Sequence, residues 1–171
     1  YVEKTVNIQQ AAHDIVMSKA FDNGMICASE QAVIADKEIY KELVEEFKSY
    51  GVYFANKKEK AMLEDFIFGV TANCANCGGA KLNSAVVGKP AAWIAEQAGF
   101  KVPEKTNIII AEFREVGPNE PLTREKLSPV LAMLKADSTE QGLQFAEQDV
   151  GRSVAAGGEC AENEGRAWPE M

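Results

Sequence analysis

Asn107-Ile108-Ile109-Ile110-Ala111 is, from Ile108 on, a continuous apolar run built on three consecutive β-branched residues. A strand with one wet face alternates apolar and polar side chains. A strand covered on both faces reads as a continuous apolar run, the signature of a parallel sheet sandwiched between helices. Two shorter runs support this reading: Ala32-Val33-Ile34-Ala35, and the stretch from Val130 to Leu134. Helical patterns lie between them. The fold class read from these alternations is α/β, a mostly parallel sheet flanked by helices.

The helices announce themselves by their ends. Residues from Asn7 to about Lys19 carry an apolar stripe of Ile8, Ala11, Ala12, Ile15 and Val16. Asn7 is placed to cap it, with Gln10 as the reciprocal partner. Asp36 is the expected cap of a second helix with Ile39, Leu43, Val44 and Phe47 on one face, stopped by Gly51. A third starts near Lys57, carries Met62, Leu63, Phe66 and Ile67, and ends at Gly69. Pro90 and Gly99 bracket a fourth around Trp93 and Ile94, following the preference for Pro first and Gly last. Ser138, with Gln141 three residues on, opens a fifth bearing Leu143 and Phe145. The stretch from Thr71 to Gly79 reads as a loop. From about Gly151 the pattern dissolves, so the expected organisation is one domain over residues 1–150 and an irregular tail over 151–171.

With 171 residues the chain can enclose a core of its own. Its net charge of −8, spread along the sequence, argues against nucleic acid as a partner. No apolar stretch approaches the roughly 20 residues that cross a bilayer, and no charged head followed by an apolar run marks a signal peptide. A cytoplasmic location with reduced thiols is expected. The first residue is Tyr1 rather than Met, so the expectation is a piece of a longer chain.

Of the 4 cysteines, Cys27 stands apart. In Phe21-Asp22-Asn23-Gly24-Met25-Ile26-Cys27-Ala28-Ser29-Glu30-Gln31 a helical pattern runs into a polar turn, and the thiol follows it before a short apolar run. A thiol at a chain bend is accessible to a substrate, whereas an inert cysteine sits inside an apolar stripe. Placement alone leaves a small buried residue as the alternative. A helical turn running from Cys27 through Ser29 to Gln31 would present a backbone N–H to an oxyanion. Asn23 and Gly24 have the chemistry of turn formers. Cys74-Ala75-Asn76-Cys77 has the spacing of a redox pair or half a zinc site, but no second pair or neighbouring His completes four ligands. Two loop thiols, and no metal, are expected there. His13, the single histidine, reads as a plain helix residue.

The Phe21 to Gln31 block resembles the nucleophile motif of the aldehyde dehydrogenases. The resemblance extends to Ile15-Val16-Met17-Ser18-Lys19, Ala85-Val86-Val87-Gly88-Lys89-Pro90, Ile94-Ala95-Glu96-Gln97-Ala98-Gly99-Phe100 and Glu125-Lys126-Leu127-Ser128-Pro129-Val130-Leu131-Ala132-Met133. Together they resemble the catalytic domain of the CoA-acylating aldehyde dehydrogenases, most of all the aldehyde dehydrogenase half of the bifunctional aldehyde–alcohol dehydrogenases. That resemblance implies Cys27 as nucleophile toward an aldehyde, a thioester on its sulfur, hydride transfer to NAD, and coenzyme A as acyl acceptor. It implies cofactor-binding roles for Glu125, matched to a carboxylate that holds the nicotinamide ribose, and for Leu127, which replaces the family's Phe. It also implies an aldehyde or acyl-CoA substrate and a parent that forms homo-oligomers or filaments.

The family's Gly-rich dinucleotide turn and its oxyanion Asn have no counterpart in this sequence. Gly157-Gly158-Glu159-Cys160 stands where relatives carry a Gly-Gly-x-Gly-His-like segment, without the His. The expectation is an isolated chain without turnover, dependent on a missing NAD-binding domain of the parent. A non-catalytic assembly domain, or less favoured a Cys-x-x-Cys redox or metal module, is the alternative.

Overall fold

The computed structural model describes residues 1–69, 81–117 and 120–149. Cys74, Cys77, Cys160, the loop expected from Thr71 to Gly79 and the tail expected over 151–171 lie outside those residues. Four strands form one parallel sheet: β1 (Ala32–Asp36), β2 (Val52–Ala55), β3 (Ile108–Phe113) and β4 (Val130–Ala136), in the spatial order β1-β4-β3-β2. The helices are α1 (Ile8–Ala20), α2 (Tyr40–Ser49), α3 (Lys57–Phe68), α4 (Ala91–Ala98) and α5 (139–149).

The isoleucine run does what its composition requires. Ile108 and Ile110 join one apolar cluster with Val33, Leu131 and Met133, packed against Ala12 and Val16 of α1 and Leu43 and Phe47 of α2. Ile109 faces the other way, into a cluster with Ile34, Ala132 and Leu134 that takes Leu63 and Ile67 of α3, Ile94 of α4 and Phe145 of α5. All three isoleucines are fully buried. At period two a strand serves both layers only if every position is apolar.

Several local expectations are met by different means. Asn7 caps α1 by accepting from the Gln10 N–H at 3.0 Å, but the Gln10 side chain turns to Asp14 instead of reaching back. The complete reciprocal box is at α3. There Asn56 accepts from Lys58 and Glu59, and Glu59 returns a bond to the Asn56 N–H. Asp36 does not cap α2. It is the last residue of β1 and accepts from the Glu38 N–H at 3.1 Å, shaping the turn that precedes a helix begun at Tyr40. In α5 the Gln141 side chain accepts from the Asp137 N–H, and Ser138 accepts from the Gln141 N–H. Leu143 of α5 is exposed, while Phe145 packs inward.

Strand β2 has no counterpart among the expected strands. Its four residues are half-buried beyond Val52, as suits an edge. At the opposite edge the Val2 N–H donates to Ile34, and Val2 accepts from the Asp36 N–H, so the N-terminus runs parallel beside β1. The crossover from β3 to β4 contains no α-helix among its described residues, just a short 3₁₀ turn over Pro121–Thr123. This crossover brings in Glu125.

Candidate active site

Strands β1 and β4 are parallel neighbours with Ala32 opposite Ala132. Parallel strands are entered from the same end, so the segments leading into them meet at one edge of the sheet. The Cys27 segment leads into β1. The Glu125 segment leads into β4. Two positions some 100 residues apart in sequence are thereby set on one rim.

The two lead-ins touch at backbone level. After α1 the chain makes a 3₁₀ turn over Phe21–Gly24, with Asp22, Asn23 and Gly24 all at positive φ. Three successive residues in the left-handed region fold the chain sharply back. Gly24 (φ +67°) lies so close to Ser128 that a Cβ there would stand 2.7 Å from the Ser128 carbonyl oxygen. The Asn23 side-chain amide donates to the Gly88 carbonyl at 3.0 Å, and the Gly88 N–H donates to Leu127 at 3.0 Å. Leu127 itself takes φ +46°, a conformation uncommon for a branched residue and retained here by its carbonyl's bond to Gly88. Asn23 and Gly24 thus shape the turn and dock it.

Cys27 is exposed. It occupies a central position of the tight turn closed by the Ser29 N–H donating to the Ile26 carbonyl at 2.9 Å. The helical turn expected from Cys27 through Ser29 to Gln31 does not form, because Gln31 is already engaged with β4: its carbonyl accepts from the Ala132 N–H. Phe21, Met25 and Ile26 are exposed around the thiol and make an apolar border. Glu125 is exposed. Ser128 is fully buried, and its hydroxyl has no hydrogen-bond partner among the described residues.

Two lysines lie beneath the rim, both fully buried. Lys19, in the last turn of α1, donates to Ser29 Oγ at 3.3 Å, and that hydroxyl donates to the Gly24 carbonyl. Burial pushes the Lys19 ammonium down to about 8 against the pull of Glu30 and Glu125. An unfolded lysine titrates near 10.4. Between these values the unfolded chain holds the proton and the folded one does not, so stability rises with pH across that window. Relative to Lys19→Met, the unsubstituted protein is expected to gain up to about 3 kcal/mol from pH 8 to pH 10.5. Urea melts of both proteins across that range check this, and a difference that falls with pH refutes it.

No family model matches this chain. Over 150 residues it is 73% identical to the aldehyde-alcohol dehydrogenase of Streptococcus pneumoniae, an alignment covering 88% of this chain and 17% of that one. It superposes on an acetylating aldehyde dehydrogenase from Geobacillus thermoglucosidasius with a TM-score of 0.79 and 37% identity, covering 88% of this chain and 31% of that one. The chain belongs to the CoA-acylating aldehyde dehydrogenase family. A third similarity is to a Rhodopseudomonas palustris propionaldehyde dehydrogenase solved with bound CoA and an acylated cysteine (TM-score 0.72, 27% identity, 86% of this chain and 32% of that one). The chain thus spans about a sixth of the curated relative and about a third of these solved relatives.

Within this family fold, the expected site residues fall on one rim: Cys27, Asn23 and Gly24 on the β1 lead-in, Glu125 and Leu127 on the β4 lead-in. Lys19, Ser29, Gln31, Gly88 and Lys126, which build the floor, were not among them. All five belong to the resemblance-carrying segments, but no local pattern tells a buried lysine from a solvated one. His13 is exposed on α1 beside Asp14, away from the rim. No group of three or more metal-ligating side chains converges among the described residues. No helix among them is long and apolar enough to cross a membrane.

Proposed function

We propose that this chain supplies the thiol-bearing part of a CoA-acylating aldehyde dehydrogenase, interconverting an aldehyde and coenzyme A with acyl-CoA. The carrying observation is the exposed Cys27 turn, bonded into the same rim as the exposed Glu125 carboxylate. Cys27 Sγ, as thiolate, attacks the aldehyde carbonyl carbon and forms a carbon–sulfur bond. Loss of hydride from that carbon leaves a thioester on Cys27. The thiolate of coenzyme A attacks the thioester and expels Cys27, which is fit for a second turn because a thiolate is both a good nucleophile and a good leaving group. A nicotinamide dinucleotide, when bound, accepts the hydride.

Glu125 fits such a cofactor: its carboxylate is exposed on the same rim, and carboxylate oxygens accept from vicinal ribose hydroxyls. Leu127, adjoining it, is proposed to border the same ring system. NAD is proposed as the dinucleotide, acetaldehyde and acetyl-CoA as the exchanged pair, and the reducing cytoplasm as the setting; the similarity to aldehyde-alcohol dehydrogenases supports the aldehyde chemistry. The full reaction is proposed for the polypeptide that joins this domain to a dinucleotide-binding one. The domain organisation proposed is a catalytic unit over 1–150 with a divergent tail over 151–171.

Peptide mapping tests the assignment. Iodoacetamide near neutral pH is expected to label Cys27 faster than Cys74, Cys77 or Cys160. Acetyl-CoA is expected to leave an acetyl group on Cys27. Finding Cys27 the slowest thiol, or the acetyl group elsewhere, would sink it. Self-association is a second reading, favoured by Met17 at 60% and Phe21 at 65% exposure. Light scattering that reports a monomer at all concentrations counts against it.

A further inference from the structure

Lys126 is a costly residue to bury. It is completely shielded from solvent, directly after Glu125, in a place where a methionine would fill the same space. Removing an ammonium from water costs several kcal/mol even after the protein relaxes around it. Stability alone therefore does not explain a lysine here.

Its surroundings do. The ammonium donates to three backbone carbonyls: Leu122 at 2.7 Å, Arg124 at 2.7 Å and Gln31 at 3.0 Å. Three acceptors match the three protons of an ammonium, whereas a neutral amine carries two. Burial and the neighbouring Lys19 charge push its pKa well below the usual lysine range, while Asp149 and Glu125 pull it back. The three carbonyls come from two pieces of chain, Leu122 and Arg124 from the loop that carries Lys126 itself and Gln31 from the Cys27 lead-in. Leu122 is in the turn after β3, Arg124 immediately precedes Glu125, and Gln31 is four residues past Cys27. A second link reinforces the first, because the Lys126 N–H donates to the Gln31 side-chain oxygen at 3.2 Å. The Gln31 side-chain amide in turn donates to the Ser29 carbonyl at 3.2 Å, inside the thiol loop.

We propose that Lys126 is a positioning residue: its ammonium pins the Glu125 loop to the Cys27 lead-in and so sets the carboxylate at a fixed place relative to the thiol. This inference rests on the function proposed above. An apolar side chain would keep the packing and lose the pin. The nicotinamide ribose would then be held at the wrong distance from the Cys27-bound carbon. Misplacement of about 1 Å costs on the order of 10²-fold in rate.

The test uses the full-length enzyme that contains this domain. Lys126→Met is expected to slow single-turnover hydride transfer by about 10²-fold while iodoacetamide alkylation of Cys27 keeps its rate and the melting temperature does not fall. A parallel drop in hydride transfer, alkylation and melting temperature indicates a plain structural role and overturns the proposal. So does unchanged hydride transfer. Gln31→Leu breaks the side-chain links but keeps the ammonium. It is expected to slow hydride transfer to a smaller degree, and if Lys126→Met does not fold, Lys126→Gln, which also removes the ammonium, takes its place: unchanged hydride transfer there refutes the pin. Cys27→Ala separates the two ideas. Acyl turnover that survives Cys27→Ala refutes the proposed function, whereas its loss together with normal Lys126→Met kinetics refutes the pin alone.

Discussion

Cys27→Ala in the full-length enzyme is expected to abolish acyl transfer while leaving the fold intact. The chemistry requires a group that attacks a carbonyl, survives as a thioester and leaves again, and no other described residue on the rim is a thiol. Nucleophile deletions in enzymes with covalent intermediates cost on the order of 10⁶-fold, so residual turnover should sit at background. Cys27→Ser should be almost as damaging, because a hydroxyl remains protonated at neutral pH and its ester is a poor acyl donor. Stability should hardly move. Cys27 is exposed on a turn, and substitutions at such places fall within about ±0.5 kcal/mol. Mass spectrometry after acetyl-CoA treatment, with a thermal melt on the same sample, reads both effects. A Cys27→Ala enzyme that keeps a tenth of its activity would remove Cys27 from the mechanism.

Gly24→Ala should produce the largest loss of stability among small substitutions at the site. Its Cβ would stand 2.7 Å from the Ser128 oxygen, 2.9 Å from the Ser128 carbonyl carbon and 3.2 Å from the Lys19 oxygen. All three are backbone atoms, so no side chain can swing aside. The left-handed conformation adds roughly 1–2 kcal/mol for any residue with a Cβ. Relief requires parting the two lead-ins, which also breaks the thiol rim. The expected cost is about 3 kcal/mol or more, a fall of roughly 10 °C in melting temperature for a domain of this size. Gly69→Ala is the control. Gly69 has nearly the same φ, +66°, but open space where its Cβ would go, so it should lose about 1 kcal/mol. Equal losses at Gly24 and Gly69 would show that the contact with Ser128 carries no weight.

Much of the architecture was legible because it rests on local rules. Apolar runs mark strands buried on both faces, and Asn7, Pro90, Gly69 and Gly99 mark helix ends through their own backbone chemistry. Strand β2 escaped because Val52-Tyr53-Phe54-Ala55 is four residues long and directly abuts two helices. What makes it a strand is pairing with β3, more than 50 residues away. The Asp36 cap failed for a similar reason: β1 extends through Asp36 because β4 pairs with it as far as Ala136. The helical turn expected after Cys27 was pre-empted by the Gln31 bond to Ala132. In each case a long-range ladder bond outcompeted a local preference.

The amino-acid sequence alone determined the fold class, most of the helix ends, the candidate thiol and the segments that resemble the acylating aldehyde dehydrogenases. These depend on side-chain chemistry and on neighbours a few positions apart. Only the tertiary structure decided that Cys27 and Glu125 share a rim and that Gly24 must be glycine. It alone revealed Lys126 as a buried side chain bonded to three carbonyls rather than a solvated surface charge. Those facts follow from the parallel pairing of β1 with β4, which places two distant lead-ins side by side and shuts solvent out from between them.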